Sequence, residues 1–438
     1  FGVGAATAAW VQTAFLLTLT SSLLVAGRLG DIYGHQNVYR AGIVLFTAAG
    51  TLSGFIQDIG VLITFRSLQG VGAAMISGNS LAIIANTFST GERGMAIGIM
   101  GVAASMGGLL GVGLSTSLAQ YLNWQWLFYM TLPVGLVGIV AARSLKGGIR
   151  PKDPPRVDYL GAILLAATLT AFSLSFSHLH AGEIASSEGW HYHGALLVAT
   201  AVGLLLFVAA ERRASQPLIE LSYLLNTPFS FSIIANMVLH ITMMTFAFLT
   251  PFLLEKGLGL SPSHTAGVIM SSSVGSMIGS LLSGKLYDRT RWRFFCPLAM
   301  ASLGLGMGVM ALYAPTCPYF LLMIVSVGLG LSMGSFNTSN NAIIVSTVPA
   351  NRRGFATGML ETSRQFGHSV GASASGAVMG TALMSAAMGT TESAAYISGY
   401  QQASLVASGA AFLGILASLI AALSQRANSE TAPVPAIS

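Results

Sequence analysis

The sequence predicts an all-α integral membrane protein, and two observations point to this fold class. Of the 438 residues, 53% are hydrophobic and 8% are charged, whereas a soluble domain carries about 25% charged residues. Apolar segments of about 20 residues, long enough to cross ~30 Å of hydrocarbon, recur along the whole chain. The sequence contains no G-x-x-x-x-G-K-[ST] loop and no evident intramembrane catalytic pair, so neither a nucleotide-driven machine nor an enzyme is expected.

Thirteen apolar segments are predicted to span the membrane. Their approximate bounds are 7–26, 38–56, 61–86, 97–121, 125–143, 159–177, 194–210, 229–252, 265–284, 294–313, 319–347, 355–386 and 403–424. Several are rich in glycine and serine, which allows neighbouring helices to approach closely.

Basic residues are distributed asymmetrically between the predicted loops. When the loop holding Asp31 is placed in the cytoplasm and the sides alternate from there, Lys256 is the one basic loop residue left outside. This is the positive-inside pattern of a multi-pass protein in the cell membrane, and it explains the net charge of +6 without nucleic-acid binding. The pattern places Phe1 outside and Ser438 in the cytoplasm, so a fourteenth span is expected upstream.

Three short motifs occur twice in the same order, at offsets of 257, 260 and 260 residues. The pairs are Gly27-x-Leu29-x-Asp31 with Gly284-x-Leu286-x-Asp288, Arg93-Gly94-x-Ala96-x-Gly98 with Arg353-Gly354-x-Ala356-x-Gly358, and Gly107-x-x-x-Gly111 with Gly367-x-x-x-Gly371. Such agreement predicts two parallel-repeat helical halves related by an axis along the membrane normal. The predicted divisions are an N-terminal half at 1–157, two inserted helices at 158–211, a C-terminal half at 212–426 and a cytoplasmic tail at 427–438.

Several stretches resemble the major facilitator superfamily, and more narrowly its fourteen-span drug:proton antiporter branch. They are GRLGDIYG at 27–34, RSLQGVGAA at 66–74, ANTFSTGERGMAIGI at 85–99 and NWQWLFYMTLPVG at 123–135. The resemblance covers essentially the whole chain and implies the superfamily fold, alternating access and exchange of a small molecule for protons. It also identifies the expected upstream span as helix 1, which in this branch often carries an aspartate tied to coupling.

The chain departs from the branch at two motifs. Ile32, His35 and Gln36 stand where the family loop has basic residues. In the helix 5 motif Val112 replaces a proline, and Ser115 and Thr116 replace a glycine pair. These changes keep open an alternative to export, in which the protein is a uniporter or importer.

Three charged residues inside predicted spans are candidates for proton coupling: Glu361, Arg66 and Arg364. A bare arginine at mid-span costs at least ~3 kcal/mol, so Arg66 is expected to face protein or water. The resemblance implies that Arg66 modulates a nearby carboxylate, and the alternative is a hydrogen-bond hub between helices. Glu361 and Arg364 share a helix face because they are three residues apart. Either Glu361 binds a proton reversibly, or the pair neutralises itself and locks the helix end.

Asp31 and Asp288 are predicted to form a conformational latch at the start of two cytoplasmic loops. Gly27 and Gly34 allow tight helix ends, and the aspartates can bind helix N-terminal amides together with Arg93 or Arg353. The alternative is ordinary solvation of a loop aspartate.

Seven polar residues are candidates for a substrate cavity: Gln69, Asn79, Asn236, His240, Asn337, Asn340 and Asn341. Scattered polar groups in an apolar wall suit amphipathic ligands, although buried amides more often bind one another. His178, His180, His191 and His193 flank a loop with Glu183 and Glu188, but their spacing predicts no metal site.

The function expected from the sequence is proton-coupled export of amphipathic or cationic small organic compounds. The expected partners are a small-molecule substrate, protons and membrane lipids, with no cofactor, no nucleic acid and a monomeric state. The two alternatives are a uniporter or importer of a small metabolite and a transport-dead membrane receptor or assembly protein.

Overall fold

A computed structural model describes residues 5–89, 91–145, 158–177, 187–214, 221–386 and 391–430. All regular secondary structure in these ranges is helical. Twelve of the thirteen predicted spans coincide with one long helix each, and the span predicted at 125–143 consists of two shorter helices. This confirms the all-α membrane fold.

The helices run in the following order along the chain. The first eight are α1 Ala5–Tyr33, α2 His35–Ser53, α3 Ile59–Thr87, α4 Arg93–Tyr121, the short α5 Trp126–Tyr129, α6 Thr131–Arg143, α7 Tyr159–Ser177 and α8 Ser187–Arg213. The others are the short α9 Leu221–Leu224, α10 Thr227–Pro251, α11 Pro262–Thr290, α12 Phe295–Tyr313, α13 Tyr319–Ser346, α14 Arg353–Ala386 and α15 Glu392–Glu430. A π-helical turn, Phe252–Gly257, continues α10, and a 3₁₀ turn, Ala350–Arg352, precedes α14.

Ten helices in the described ranges are long and apolar enough to cross a membrane by length and composition. The other three predicted spans are α2, α7 and α14. Polar residues lower the hydropathy of two of them, with His35, Gln36 and Arg40 in α2 and Glu361 and Arg364 in α14. His35, Glu361 and Arg364 among them belong to the candidate functional site.

Side-chain caps and glycine set several helix ends. The side chain of Asn226 accepts a hydrogen bond from the Phe229 amide, and Pro228 stands in the first turn of α10, where its missing N–H removes no helical bond. Gly34 separates α1 from α2 with a φ of 91°, a conformation that glycine adopts without steric cost.

The chain forms two compact units. The first contains residues 1–87, 108–220 and 348–369, and the second contains residues 88–107, 221–347 and 370–438. The helices α4 and α14 therefore each contribute residues to both units. The division of the sequence at 157, 211 and 426 stays a prediction, because the units follow packing rather than chain order.

Small residues allow helices to pack closely inside each unit. In the first unit, Leu19, Leu23 and Ala26 of α1 pack against Ala74 of α3. In the second unit, a methyl group at Gly330 of α13 would collide with a backbone carbonyl of α11. Small residues at such crossings are the usual means of helix association in membranes, where van der Waals packing is a main driving force.

Candidate functional site

The carboxylate of Asp31 caps the beginning of α14. Its Oδ1 accepts a hydrogen bond from the Gly354 amide at 2.9 Å, and its Oδ2 accepts one from the Phe355 amide at 3.1 Å. The first amides of a helix have no partner within the helix, and the positive end of the helix dipole favours a negative charge. Because only 1% of the Asp31 side chain is exposed, this interaction is largely protected from water.

Asp288 makes the matching contact in the other repeat. Its Oδ1 accepts a hydrogen bond from the Gly94 amide at 2.9 Å, and its Oδ2 accepts one from the Met95 amide at 2.7 Å. These amides begin α4 and are the repeat equivalents of Gly354 and Phe355. The two aspartates therefore cap two equivalent helices in a reciprocal manner.

Glycines bring the capped helices close enough for these contacts. A methyl group at Gly27, one turn before Asp31, would overlap the carbonyl oxygen of Gly354. A methyl group at Gly284, one turn before Asp288, would overlap the carbonyl of Gly94. The glycines of the repeated motif thus serve close backbone approach rather than loop flexibility.

The arginines predicted to join the latch bind backbone and side-chain oxygens near the ends of α3 and α4. The Arg353 guanidinium donates to the carbonyl oxygen of Ala85 at 2.8 Å and to Oδ1 of Asn86 at 2.5 Å, at the end of α3. Arg93 donates from Nε to the carbonyl oxygen of Phe88. Asp31 and Asp288 bind helix N-terminal amides, and a part for Arg93 or Arg353 in the latch stays a prediction.

His35 fills part of the space beside Asp31. Its Nδ1 lies 2.8 Å from Oδ1 of Asn79, and its Nε2 lies 3.4 Å from Oδ1 of Asp31. The Asn79 amide nitrogen donates to the carbonyl oxygens of Ala26 and Met75. Asn79 is fully buried and its hydrogen bonds join three helices, which favours the alternative of a buried amide bound by its neighbours over a substrate contact.

Arg66 lies half-buried in α3 among hydrogen-bond acceptors and aromatic rings. It donates to the Val11 carbonyl at 3.1 Å, to Oε1 of Gln69 at 2.6 Å and to Oε1 of Gln12 at 3.1 Å. The guanidinium carbon lies 4.4 Å from the Phe15 ring centroid, a cation–π distance. Gln69 is thus a direct partner of Arg66.

Glu361 and Arg364 form an ion pair on one face of α14, with Oε1 and Nη1 3.0 Å apart. Both side chains are mostly buried, at 13% and 25% exposed. His368 follows Arg364 by four residues and therefore shares that helix face. The sequence interpretation missed His368, although the spacing Glu361-x-x-Arg364-x-x-x-His368 was the signal that could have found it.

The second unit contains a buried polar stripe on α10 and α13. Ser232, Asn236 and His240 follow one another at four-residue intervals along one face of α10. Asn340 of α13 donates from Nδ2 to the Ser232 carbonyl at 3.3 Å, which joins the two helices.

Two further asparagines lie in the same part of α13. The Oδ1 atoms of Asn337 and Asn341 are buried and accept no hydrogen bond from any described residue. A buried amide oxygen without a donor is costly, and it can be satisfied by a water or a ligand group.

Of the four histidines near the α7–α8 loop, the structure describes His191 and His193. Nδ1 of His193 bonds the Ser175 carbonyl at 2.6 Å, which joins α7 to α8, and His191 is exposed. Within the described residues, no three His, Cys, Asp or Glu side chains are grouped as metal ligands. His178, His180 and Glu183 lie outside the described residues.

Within the described ranges, the helices of the predicted spans and the two related helix caps are typical of a multi-pass membrane protein that transports small molecules. The chain belongs to the Major Facilitator Superfamily, whose family profile matches residues 1–372. This match confirms the predicted superfamily. Members of the family are transporters and not enzymes.

Several characterised and uncharacterised relatives resemble the chain. It is 31% identical over 399 residues to an uncharacterized MFS-type transporter of Mycobacterium tuberculosis, covering 88% of this chain and 64% of that protein. It is 25% identical to the riboflavin transporter of Clostridioides difficile, and the alignment covers 93% of this chain and 87% of that protein. It is 29% identical to the puromycin resistance protein of Streptomyces alboniger, and the alignment covers 83% of this chain and 72% of that protein.

A solved structure supports the fold. The human organic anion transporter MFSD10 aligns with a TM-score of 0.64 at 15% identity, and the alignment covers 93% of this chain and 83% of that one. At this identity the likeness bears on the fold alone.

Proposed function

We propose that this chain exports amphipathic or cationic organic compounds in exchange for protons, by alternating access in the cell membrane. In this proposal the protein acts as a monomer with its C-terminus in the cytoplasm, as the positive-inside pattern indicates. Glu361 is the residue that binds and releases the proton.

The ion pair between Glu361 and Arg364 is the single observation that carries the proton assignment. The pair is largely buried in a helix that also holds His368, and buried ionisable groups in membrane spans are costly unless function retains them. Protonation of Glu361 would release Arg364 from the pair, which gives the helix two charge states. A difference between two such states is what coupling to a proton gradient requires.

The substrate class rests on the polar stripe of α10 and α13. The polar side chains Asn236, His240 and Asn340 lie on two largely apolar helices, and the Asn337 and Asn341 oxygens are available to a donor on the substrate. A wall with few polar groups favours amphipathic compounds over sugars, which need many convergent partners. The resemblance to a puromycin resistance protein supports the same class.

The remaining assignments follow from their contacts. Arg66 and Gln69 modulate the proton site electrostatically from α3. Asp31 and Asp288, with Gly27, Gly34 and Arg353, form the latch that holds one conformation of the cycle. The caps stabilise the state in which the helix ends stay together, and their release accompanies the change of access.

Transport by inside-out membrane vesicles tests the proton assignment. The Glu361→Gln variant keeps the size and shape of the side chain but removes its charge. We expect it to bind a fluorescent cationic drug and to lose drug accumulation driven by an imposed pH gradient. Glu255→Gln, at a partly exposed glutamate in the π-helical turn, is the matched control and should keep wild-type accumulation. Wild-type accumulation by Glu361→Gln would exclude Glu361 as the coupling site.

A uniporter or importer of a small metabolite is the second candidate, and two observations favour it. One relative is named a riboflavin transporter, and the helix 5 motif departs from the antiporter pattern at Val112. Proteoliposomes with an internal pH dye separate the candidates. Substrate flux without proton movement would establish the second candidate. The third, a transport-dead receptor, predicts no flux of any compound and a partner that co-purifies.

A further inference from the structure

A cavity of about 410 Å³ lies within the second unit, beside the beginning of α4 and the end of α11. Phe88, Met95 and Ile99 form its apolar wall, and Lys285 and Arg289 contribute two cations. The positive-inside pattern places this end of both helices at the cytoplasmic membrane surface. None of the proposed transport residues lines the cavity except Asp288.

The two cations are available to a ligand. Lys285 and Arg289 are exposed and four residues apart, so they share one face of α11. Among the residues that the structure describes, neither side chain makes a hydrogen bond or an ion pair. An anion at the cavity could therefore bind both cations without breaking an existing contact.

The local charge balance is positive. The acidic side chains at the cavity are Glu92, whose Oε2 accepts a hydrogen bond from Ser89, and Asp288, whose two oxygens are held by α4 amides. Arg291 lies 4.0 Å from Asp288 and offsets its charge further. Two more arginines are close to these residues in the sequence, Arg93 at the start of α4 and Arg293 after α11.

An apolar surface leads away from the cations along α11. Ile278, Leu282 and Leu286 are exposed at four-residue intervals, with Leu282 at 61%. They run along α11 toward the turn that carries Lys285 and Arg289. Trp292 is also exposed just after α11, and tryptophan favours the depth of lipid headgroups.

We propose that this cavity binds the headgroup of an anionic phospholipid. Lys285 and Arg289 hold the phosphodiester, and the acyl chains follow Ile99 and the Ile278–Leu286 surface. Basic pockets between helices on the cytoplasmic side suit such headgroups. The adjoining apolar surface favours a lipid over a soluble phosphate compound, because one lipid molecule can contact both the cations and the apolar side chains.

The site is coupled to the Asp288 cap by direct contact. Asp288 precedes Arg289 in α11, and the Met95 residue that donates its amide to Asp288 also lines the cavity. A bound headgroup would hold the end of α11 and the start of α4 together. Anionic lipid is therefore a stabiliser of the capped conformation.

Native mass spectrometry of the purified chain tests the site. The probes are dioleoylphosphatidylglycerol and dioleoylphosphatidylcholine, added separately at equal concentrations. We expect the wild type to prefer the anionic lipid and the Lys285→Gln/Arg289→Gln variant to bind it about tenfold more weakly. Arg143→Gln/Arg212→Gln removes two other exposed cytoplasmic cations and should keep wild-type binding. Lys285→Arg/Arg289→Lys should also keep it, because the charge is conserved.

Three outcomes would overturn the proposal. They are equal retention of both lipids by the wild type, equal loss of binding in the two charge-removing variants, and displacement of the lipid by millimolar inorganic phosphate. The last outcome would identify a soluble phosphate site. A melting temperature that is unchanged between the variants without lipid verifies that each variant is folded.

Discussion

Asp31 accepts a hydrogen bond from the backbone amide of Gly354 across 323 residues of sequence, at 2.9 Å. Asp288 and Gly94 repeat the relationship at the same distance with the order in the chain reversed. An internal repeat has therefore conserved an interaction between a carboxylate and a helix end, and not only a helical fold. Most of the consequences that can be tested concern this reciprocal pair.

Removal of the Asp31 charge should destabilise the protein more than removal of the Asp288 charge. Asparagine keeps one acceptor oxygen but loses the second acceptor and the interaction with the helix dipole, at a cost of about 1–2 kcal/mol. The cost should be larger for Asp31→Asn, because its side chain is 1% exposed against 9% for Asp288. Thermal unfolding in detergent measures the difference. Asp58→Asn, at an exposed aspartate that caps α3, should have almost no effect, and an equal effect there would remove the special role of the latch.

The same two variants should change the transport rate more than substrate affinity. A latch acts on the conversion between conformations and makes no contact with substrate. The measurement is initial transport rate against substrate concentration in proteoliposomes, with a changed maximal rate and an unchanged half-saturation concentration expected. A changed half-saturation concentration alone would place Asp31 in substrate binding.

Gly27→Ala and Gly284→Ala should abolish or strongly reduce the amount of folded protein. The added methyl group overlaps the backbone carbonyl of Gly354 or of Gly94, and backbone atoms cannot move aside as a flexible side chain does. Overpacking of this kind costs about 1–3 kcal/mol or more. Gly107→Ala is the control, because a methyl group there meets no atom within 4 Å. Fluorescence-detected size-exclusion chromatography reads out the folded fraction, and normal yields of both variants would contradict the close approach.

Asn79→Ala should destabilise the protein and leave substrate preference unchanged. The variant removes one amide that serves the Ala26 and Met75 carbonyls and the His35 ring, at a cost of about 2–3 kcal/mol. Asn37→Ala removes an amide that donates to the exposed Tyr33 carbonyl and should cost little. A competition series of transported compounds provides the second measurement. An altered order of preference would return Asn79 to the substrate cavity.

Arg66→Lys should impair transport although it preserves the charge. The guanidinium serves Val11, Gln69 and Gln12 from one planar group, and a lysine ammonium is a point charge without that planar geometry. The control Arg212→Lys, at an exposed arginine, should keep wild-type transport in the same assay. Drug accumulation in vesicles, normalised to protein amount, is the measurement. Full activity of Arg66→Lys would mean that charge alone is needed at this position.

The spans could be predicted because length and hydropathy determine them. All thirteen predicted segments are helical. They include α2 and α14, whose polar residues lower their hydropathy. The exact helix ends could not be predicted, because they depend on caps such as Asn226 and on the left-handed glycine at Gly34.

The residue types of the candidate site could be predicted from the sequence, but the partners that depend on which helices meet could not. The residue type and the flanking glycines of Asp31 predicted a bond to helix amides, but they could not say which helix supplied them. The place of Asn79 depends on three helices crossing at one point, which no local pattern encodes. The four-residue spacing places His368 on the helix face of Arg364, but the spacing alone does not distinguish a functional histidine from a packed one.

The reciprocal caps make the two halves of the coding sequence depend on each other. Asp31 belongs to the first half and holds the start of α14, and Asp288 belongs to the second half and holds the start of α4. Neither half contains both a carboxylate and the helix that it caps. A gene divided between α8 and α10 would therefore yield two polypeptides that complement each other in one cell, while either polypeptide alone would leave an aspartate and a helix end without their counterparts.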